Sequence, residues 1–306
     1  MLAGVVACAI VYTSSFPALA LTTRTRISGK GVDQAGCEPI TTPCRALQYA
    51  HDNIAESGEI DVPDSAGYGP VVITRSISII GDGSVAGVLS SGSGSDITIS
   101  TNNSASIMLS GLTIEGAGTG GYGIRFNSGG KLTVTRCIIQ QFASTGVYVS
   151  PASGAVSITI LDSLLTNNAS GFGYAVSAAG SAVPKIFLNR VTAVNNSNYG
   201  AIINGVGSGK ATIAISDSNF IGNVSSGLYF DQPNGSGLID VSVDRTGFAS
   251  NALGMTVYKA SVRLNQSTFA GTNSRAIFVS GGTVTTLQNN NISGSITGSL
   301  TPGTLQ

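Results

Sequence analysis

The chain has 306 residues, its 15 Lys and Arg balance its 15 Asp and Glu, and only 10% of its residues are charged. A neutral, sparsely charged chain lacks the basic footprint that nucleic acid demands, so no nucleic-acid partner is expected. Its 41 glycines suit a fold with many tight turns, and the regular apolar columns described below exclude disorder.

Residues 1–20 read as a secretory signal peptide. Residues 2–12 are apolar, and Ala18-Leu19-Ala20 fits the small-x-small cleavage pattern. The run is too short for a membrane anchor, and no later segment is apolar for long enough to span a bilayer. The expectation is a secreted or periplasmic protein without a transmembrane segment after cleavage. Residues 21–70 form an N-terminal region. In an oxidising compartment its Cys37 and Cys44 read as a disulfide around a short loop. Metal binding is the rival, but two cysteines without neighbouring histidines make a poor zinc site. Thr42-Pro43 ahead of CRALQYAHDNIAE predicts a helix, with Thr42 as N-cap and Pro43 at the first position. Leu47, Ala50 and Ile54 share one face of it, and Gly58 ends it.

From residue 71 to about 300 the chain repeats. The segments VVITRSISII (71–80) and DITIS (96–100) read as irregular early coils. Eight eleven-residue blocks then align without internal insertion: 107–117, 132–142, 158–168, 186–196, 213–223, 241–251, 262–272 and 285–295. The eighth residues of the blocks are Ile114, Ile139, Leu165, Ala193, Phe220, Phe248, Phe269 and Ile292, spaced 21 to 28 residues apart. A period of this size signals a solenoid. Seven before the anchors stand Ile107, Leu132, Ile158, Ile186, Ile213, Val241, Val262 and Thr285, and five before them stand apolar residues throughout, with mostly polar or small residues between. The period is therefore two, which is that of a strand, and not 3.6. A second short strand carries the anchor, and a third apolar segment recurs downstream as at 123–126, 146–149 and 227–230. Three strands per coil, each paired with its copy in the next coil, make a single-stranded right-handed parallel β-helix, an all-β solenoid. The N-terminal helix is expected to cap its open end, because an uncovered end exposes unpaired strand edges.

Two further columns explain themselves structurally. Asn168, Asn196, Asn223 and Asn251 stand three after their anchors and read as a ladder in a turn, where Asn tolerates a left-handed backbone. Arg136, Asp162, Arg190, Asp217 and Arg245 stand three before theirs. Strict alternation of sign in stacked coils reads as an ion ladder, although a catalytic Arg–Asp pair could hide in it.

An exported leader, a short capping helix, the Gly58–Val62 strand and the Gly67-Tyr68-Gly69 turn precede the coils. Together they resemble the bacterial secreted right-handed β-helix proteins of the pectate-lyase-like superfamily, over about residues 37–295. The resemblance implies the fold but selects no activity, since this fold hosts lyases, hydrolases, epimerases and adhesins.

Outward positions offer one polar cluster. Asp240, Asp244, Arg263 and Asn265 fall on one pleated face of two adjacent coils. The resembling lyases use carboxylates on such a face to hold calcium and an arginine as base toward acidic sugars. That assignment would make Asp240, Asp244 and Arg263 catalytic and Asn265 substrate-binding, although two carboxylates are few for calcium. Tyr148 and Tyr229 point outward from the third strand and could stack on sugar rings. Glycosidases of this fold need paired carboxylates and a histidine. This chain has no Asp-Asp pair and a single histidine, His51, on the capping helix.

Two readings follow. The first is an exported, noncatalytic β-helix module contacting polysaccharide or cell envelope, with no cofactor and no metal. The alternative is a polysaccharide lyase or related carbohydrate-active enzyme acting on an acidic glycan, in which case Ca2+ would be its cofactor.

Overall fold

In the computed structural model the described residues are 21–37, 41–81, 86–89, 94–176, 180–233, 236–271 and 274–304. The leader expected over residues 1–20, with Cys8, lies outside them. Among the described residues the chain winds into three sheets of twelve, ten and ten strands. Each regular coil gives one strand to each sheet, as Lys131–Thr135, Ile138–Gln140 and Thr145–Val149 do in turn. Every strand pairs in parallel with its counterpart one coil away, so the fold is an all-β parallel solenoid. No described helix is long and apolar enough to cross a membrane.

The aligned apolar columns line the interior. Leu132, Ile158, Ile186, Ile213, Val241 and Val262 stand opposite one another in the first sheet, and all are buried. Where the anchors are aromatic they stack ring on ring. The Phe220–Phe248 and Phe248–Phe269 centroids are 5.6 and 4.3 Å apart, with interplanar angles of 15° and 9°. Offset stacking of this kind adds about 0.5–1.5 kcal/mol per pair beyond area burial.

The eighth block departs from its expected register. Val262 pairs with Val284, not with Thr285, while Phe269 still pairs with Ile292. One extra residue therefore sits in the intervening turn. Placing Val284 inward buries an isopropyl group completely, where the expected register would have buried a hydroxyl. Asn289 and Asn290 hold the enlarged turn by accepting the Gln266 and Ser267 N–H groups at 3.2 and 2.8 Å.

Both turn columns need left-handed backbone. Between the first and second sheets it falls on Arg136, Asp162, Arg190, Asp217 and Arg245, with φ from 44° to 53°. Between the second and third sheets it falls on Gln141, Asn167, Asn195, Gly222 and Ser250. The ladder asparagines are thus each one residue beyond the strained position, not on it. Their amides are freed for bonding between coils. Asn196 Oδ1 accepts from the backbone N–H and Nδ2 of Asn168 at 3.1 and 3.3 Å. Asn196 Nδ2 donates to Leu165 O at 3.2 Å and to Asn223 Oδ1 at 2.9 Å. The pattern continues from Asn223 to Asn251, and all four side chains are buried. The next segment starts with a glycine column for a steric reason: a Cβ on Gly200 would lie 2.6 Å from both Gly227 O and the Phe220 ring.

The N-terminal region differs from expectation at its helix. The α-helix is only Leu47–Asp52, with Ala46 as N-cap and no side-chain cap bond. Thr42-Pro43 does not start it, because the Cys37–Cys44 disulfide and an Ile27–Cys44 bridge tie the chain down just beyond Pro43. Asp33 Oδ1 instead takes the Arg45 and Ala46 N–H groups at 2.7 and 3.0 Å. Gly58 does not end the helix either, since Ile54–Val62 is already a strand of the first sheet. Leu47 and Ala50 enter the core.

The helix covers the end of the third sheet. Gln48 Oε1 accepts the Val72 N–H at 2.7 Å and His51 Nε2 accepts the Thr74 N–H at 3.2 Å. These are edge donors that no strand would satisfy. His51 is therefore a buried edge cap bonded to the first coil. Strand Thr22–Arg26 closes the first sheet in the same direction.

Replacing Asn196 by Ala removes four hydrogen bonds and strands buried backbone groups, at about 1–3 kcal/mol for each group left unsatisfied. Asn196→Ala is expected to cost about 3 kcal/mol in urea unfolding, and Asn251→Ala, at the ladder's end, less. Equal and small losses at both sites would contradict the ladder's role.

Candidate functional site

Alternation along the first sheet turns Asp240, Ser242 and Asp244 outward on strand Leu238–Asp244, and Arg263 and Asn265 outward on Ser261–Asn265. Ser242 faces Arg263 and Asp244 faces Asn265. The expected four-residue cluster therefore divides in two. Asp240 lies diagonally from Arg263, whose Nη1 approaches Asp240 Oδ1 to 2.9 Å. Lys210 Nζ holds the other carboxylate oxygen at 3.1 Å. Four residues along the strand, about 13 Å away, Asp244 accepts from Asn265 Nδ2 at 2.5 Å and pairs with Arg245. Asn289 Nδ2 then donates to Asn265 Oδ1 at 2.7 Å.

Asp240 sits in an open cleft of 570 Å³ lined by Lys210, Leu238, Lys259, Ser261 and Arg263. Burial pushes its carboxyl up, but the Lys210 ammonium and the Arg263 guanidinium outweigh burial and hold it below the ordinary range. The site is a carboxylate clamped by two cations. Calcium does not fit it, since the ion would have to displace both. Among the described residues no group of three or more His, Cys, Asp or Glu is placed to hold a metal ion.

The two tyrosines differ. Tyr148 stacks on Tyr122 at 4.9 Å and 24°, Arg125 covers the Tyr122 ring at 5.2 Å, and the edge of Tyr148 rests over Gly173. One of its faces is on the Tyr122 ring, and the residue is half-buried, as Tyr229 is. Tyr229 lies in a run across the outer face of the third sheet, where Tyr199, Tyr229, Tyr258 and Phe278 follow at 4.9, 5.8 and 5.5 Å. These rings are tilted by 47–58° and only half-buried, and the Arg275 guanidinium lies over the Phe278 ring at 5.4 Å. Burial, then the neighbouring Asp231 carboxylate, push the Tyr229 phenol up to about 12.

The turn column pairs as alternating charge predicts, but two by two. Arg190 grips Asp162 through Nε and Nη2, the latter at 2.9 Å. Arg245 grips Asp217 at 2.7 and 3.0 Å, while Arg136 donates to Ser110 at 2.9 Å. Sequence reasoning missed Lys210 and Lys259, which belong to the cleft by diagonal reach and not by column. It also missed Tyr199 and Tyr258, which sit two or three residues off the Tyr229 position. Outward parity was a signal for Lys210 and Tyr258, whereas Lys259 lies between strands and Tyr199 stands at an odd offset from the Tyr229 column.

Three parallel sheets built from stacked three-strand coils, with an asparagine ladder in one turn, make the chain an all-β parallel β-helix. No protein-family model matches the chain, and no curated protein matches it. Among solved structures it is similar to the crystal structure of pectate lyase Pel9A, at 13% identity over 90% of this chain and 78% of that one, with a TM-score of 0.59. It is also similar to the Azotobacter vinelandii mannuronan C-5 epimerase AlgE4 A-module, at 14% identity over 82% of this chain and 91% of that one, with a TM-score of 0.48.

Cation partners fix the sign of the pH response. The Arg190 and Arg245 guanidiniums hold Asp162 and Asp217 below the usual carboxylate range, as Lys210 and Arg263 hold Asp240. A carboxyl depressed in the folded state adds stability above its unfolded value, about 3.9, and loses it as pH falls through the folded value. The melting temperature is expected to be flat above about pH 5 and to fall below about pH 4. A rise on acidification would contradict these pairings.

Proposed function

We propose that this protein is an exported, noncatalytic β-helix module that contacts polysaccharide or the cell envelope. The observation that carries the reading is the run Tyr199–Tyr229–Tyr258–Phe278, a strip of half-buried rings on a rigid sheet. Aromatic faces take the C–H faces of sugar rings, and a sheet surface holds them without loss of order on binding. The Cys37–Cys44 disulfide fits an oxidising, extracytoplasmic compartment.

The lyase reading draws support from fold likeness and from the nearness of Arg263 and Asp240. Against it, Arg263, which would have to give up its own proton before acting as base, is held as a guanidinium by Asp240, and Asp240 itself is held by Lys210. A base must be within reach of the substrate proton and free to accept it.

Titration of the purified protein against neutral and acidic polysaccharides, with and without calcium, separates the readings. Binding without unsaturated, ultraviolet-absorbing products is expected. Tyr229→Ala should weaken binding about tenfold, the equivalent of one ring contact. Product formation that vanishes in Arg263→Ala would overturn the module in favour of the lyase.

A further inference from the structure

We propose that a row of cations on the first sheet is a binding track for an extended sugar or polyol polymer bearing tetrahedral anionic groups, either phosphodiesters or sulfate esters, and not for nucleic acid. Lys131 faces Ser157, which faces Lys185, which faces Thr212, which in turn faces Asp240 and then Ser261. Lys210 lies two residues before Thr212 and Lys259 two before Ser261. The lysines therefore follow one edge of one sheet over five coil steps, about 24 Å at 4.8 Å per step. Two open clefts flank the row. One, of 440 Å³, holds Lys131, Ser157, Val183 and Lys185. The other is the Asp240 cleft with Lys210, Lys259 and Arg263.

Charge is segregated in this otherwise neutral chain. The row sets five cations against the single carboxylate of Asp240. That carboxylate is shared by Lys210 and Arg263. Among the described residues Lys131, Lys185 and Lys259 enter no ion pair. Asp162, Asp217 and Asp244 lie at the opposite edge of the sheet, each paired with an arginine. One exposed lysine binds an anion weakly because solvent and salt screen it. Several in a line bind a polymer through effective concentration, so the ligand must be long.

The residue types bear on the anion. A lysine ammonium is a compact point charge with three donors that binds phosphate without needing a planar match, whereas bidentate recognition of a carboxylate or a phosphate falls to the guanidinium fork. The one guanidinium of the row is occupied by Asp240, which leaves ammoniums as the free donors. Val183 and Leu238, 44% and 65% exposed, stand between the lysines and give an uncharged polymer backbone apolar surface to lie on.

The track is on the first sheet and the aromatic run on the third, so the two proposals fail separately. The test is binding of the intact protein to poly(glycerol phosphate), dextran sulfate, polygalacturonate and a single-stranded oligonucleotide of matched charge, over a series of salt concentrations. The first two should bind at least tenfold tighter than polygalacturonate and weaken as salt rises, and the preference between them names the natural ester. The triple variant Lys131→Gln, Lys185→Gln, Lys259→Gln should lose at least tenfold in affinity, with a log–log salt slope shallower by about two to three, by analogy with counterion release from nucleic acid. These side chains support no described ion pair, so the variant should fold, which circular dichroism would verify. Polygalacturonate binding as tightly as the esters, preference for the oligonucleotide, unchanged affinity in the triple variant, or no binding to any polymer would each overturn the proposal.

Discussion

Parallel stacking of coils about 4.8 Å apart is the constraint on which the rest of the molecule depends. It places each side chain against its own counterpart one coil away, so each column must tolerate self-contact or alternate. Apolar side chains tolerate it and become core. Phenylalanines tolerate it as offset stacks. Asparagines do better than tolerate it, since an amide donates on one side and accepts on the other. Like charges cannot, and the turn column resolves this by alternating Arg with Asp and pairing them as guanidinium forks.

The same constraint decided how much was legible in the sequence. Inward columns were readable because exposure of even one member breaks a strand's alternation, so period two survives in every coil. Departures arose where a local interaction overrode the column. Val284 displaced Thr285 because burying a methyl pair outweighs keeping the turn short. The helix shrank to Leu47–Asp52 because the disulfide and Asp33 fixed the chain ahead of it. The asparagines proved to follow the left-handed residue and not to occupy it. That detail is invisible to composition, since either neighbour could take the bend.

The outer surfaces were harder to read because no burial disciplines them. Asp240, Asp244, Arg263 and Asn265 do share a face, yet diagonal reach splits them into two independent pairings. Tyr229 belongs to an aromatic run whose members sit at different offsets in successive coils. Three regions of the surface end up chemically distinct: cations along one edge of the first sheet, ion pairs and turns at its other edge, and rings on the third sheet. A rigid scaffold with separated surface chemistries suits binding, because each face presents its groups in fixed spacing without an ordering cost.

Amide hydrogen exchange is the most direct test of the claim that asparagine bonds between coils fix the register. The backbone N–H groups of Asn168, Asn196 and Asn223, each held by the next asparagine's Oδ1, should exchange only on global unfolding. Exchange at these sites as fast as at Ser104, in an exposed turn, would contradict the account.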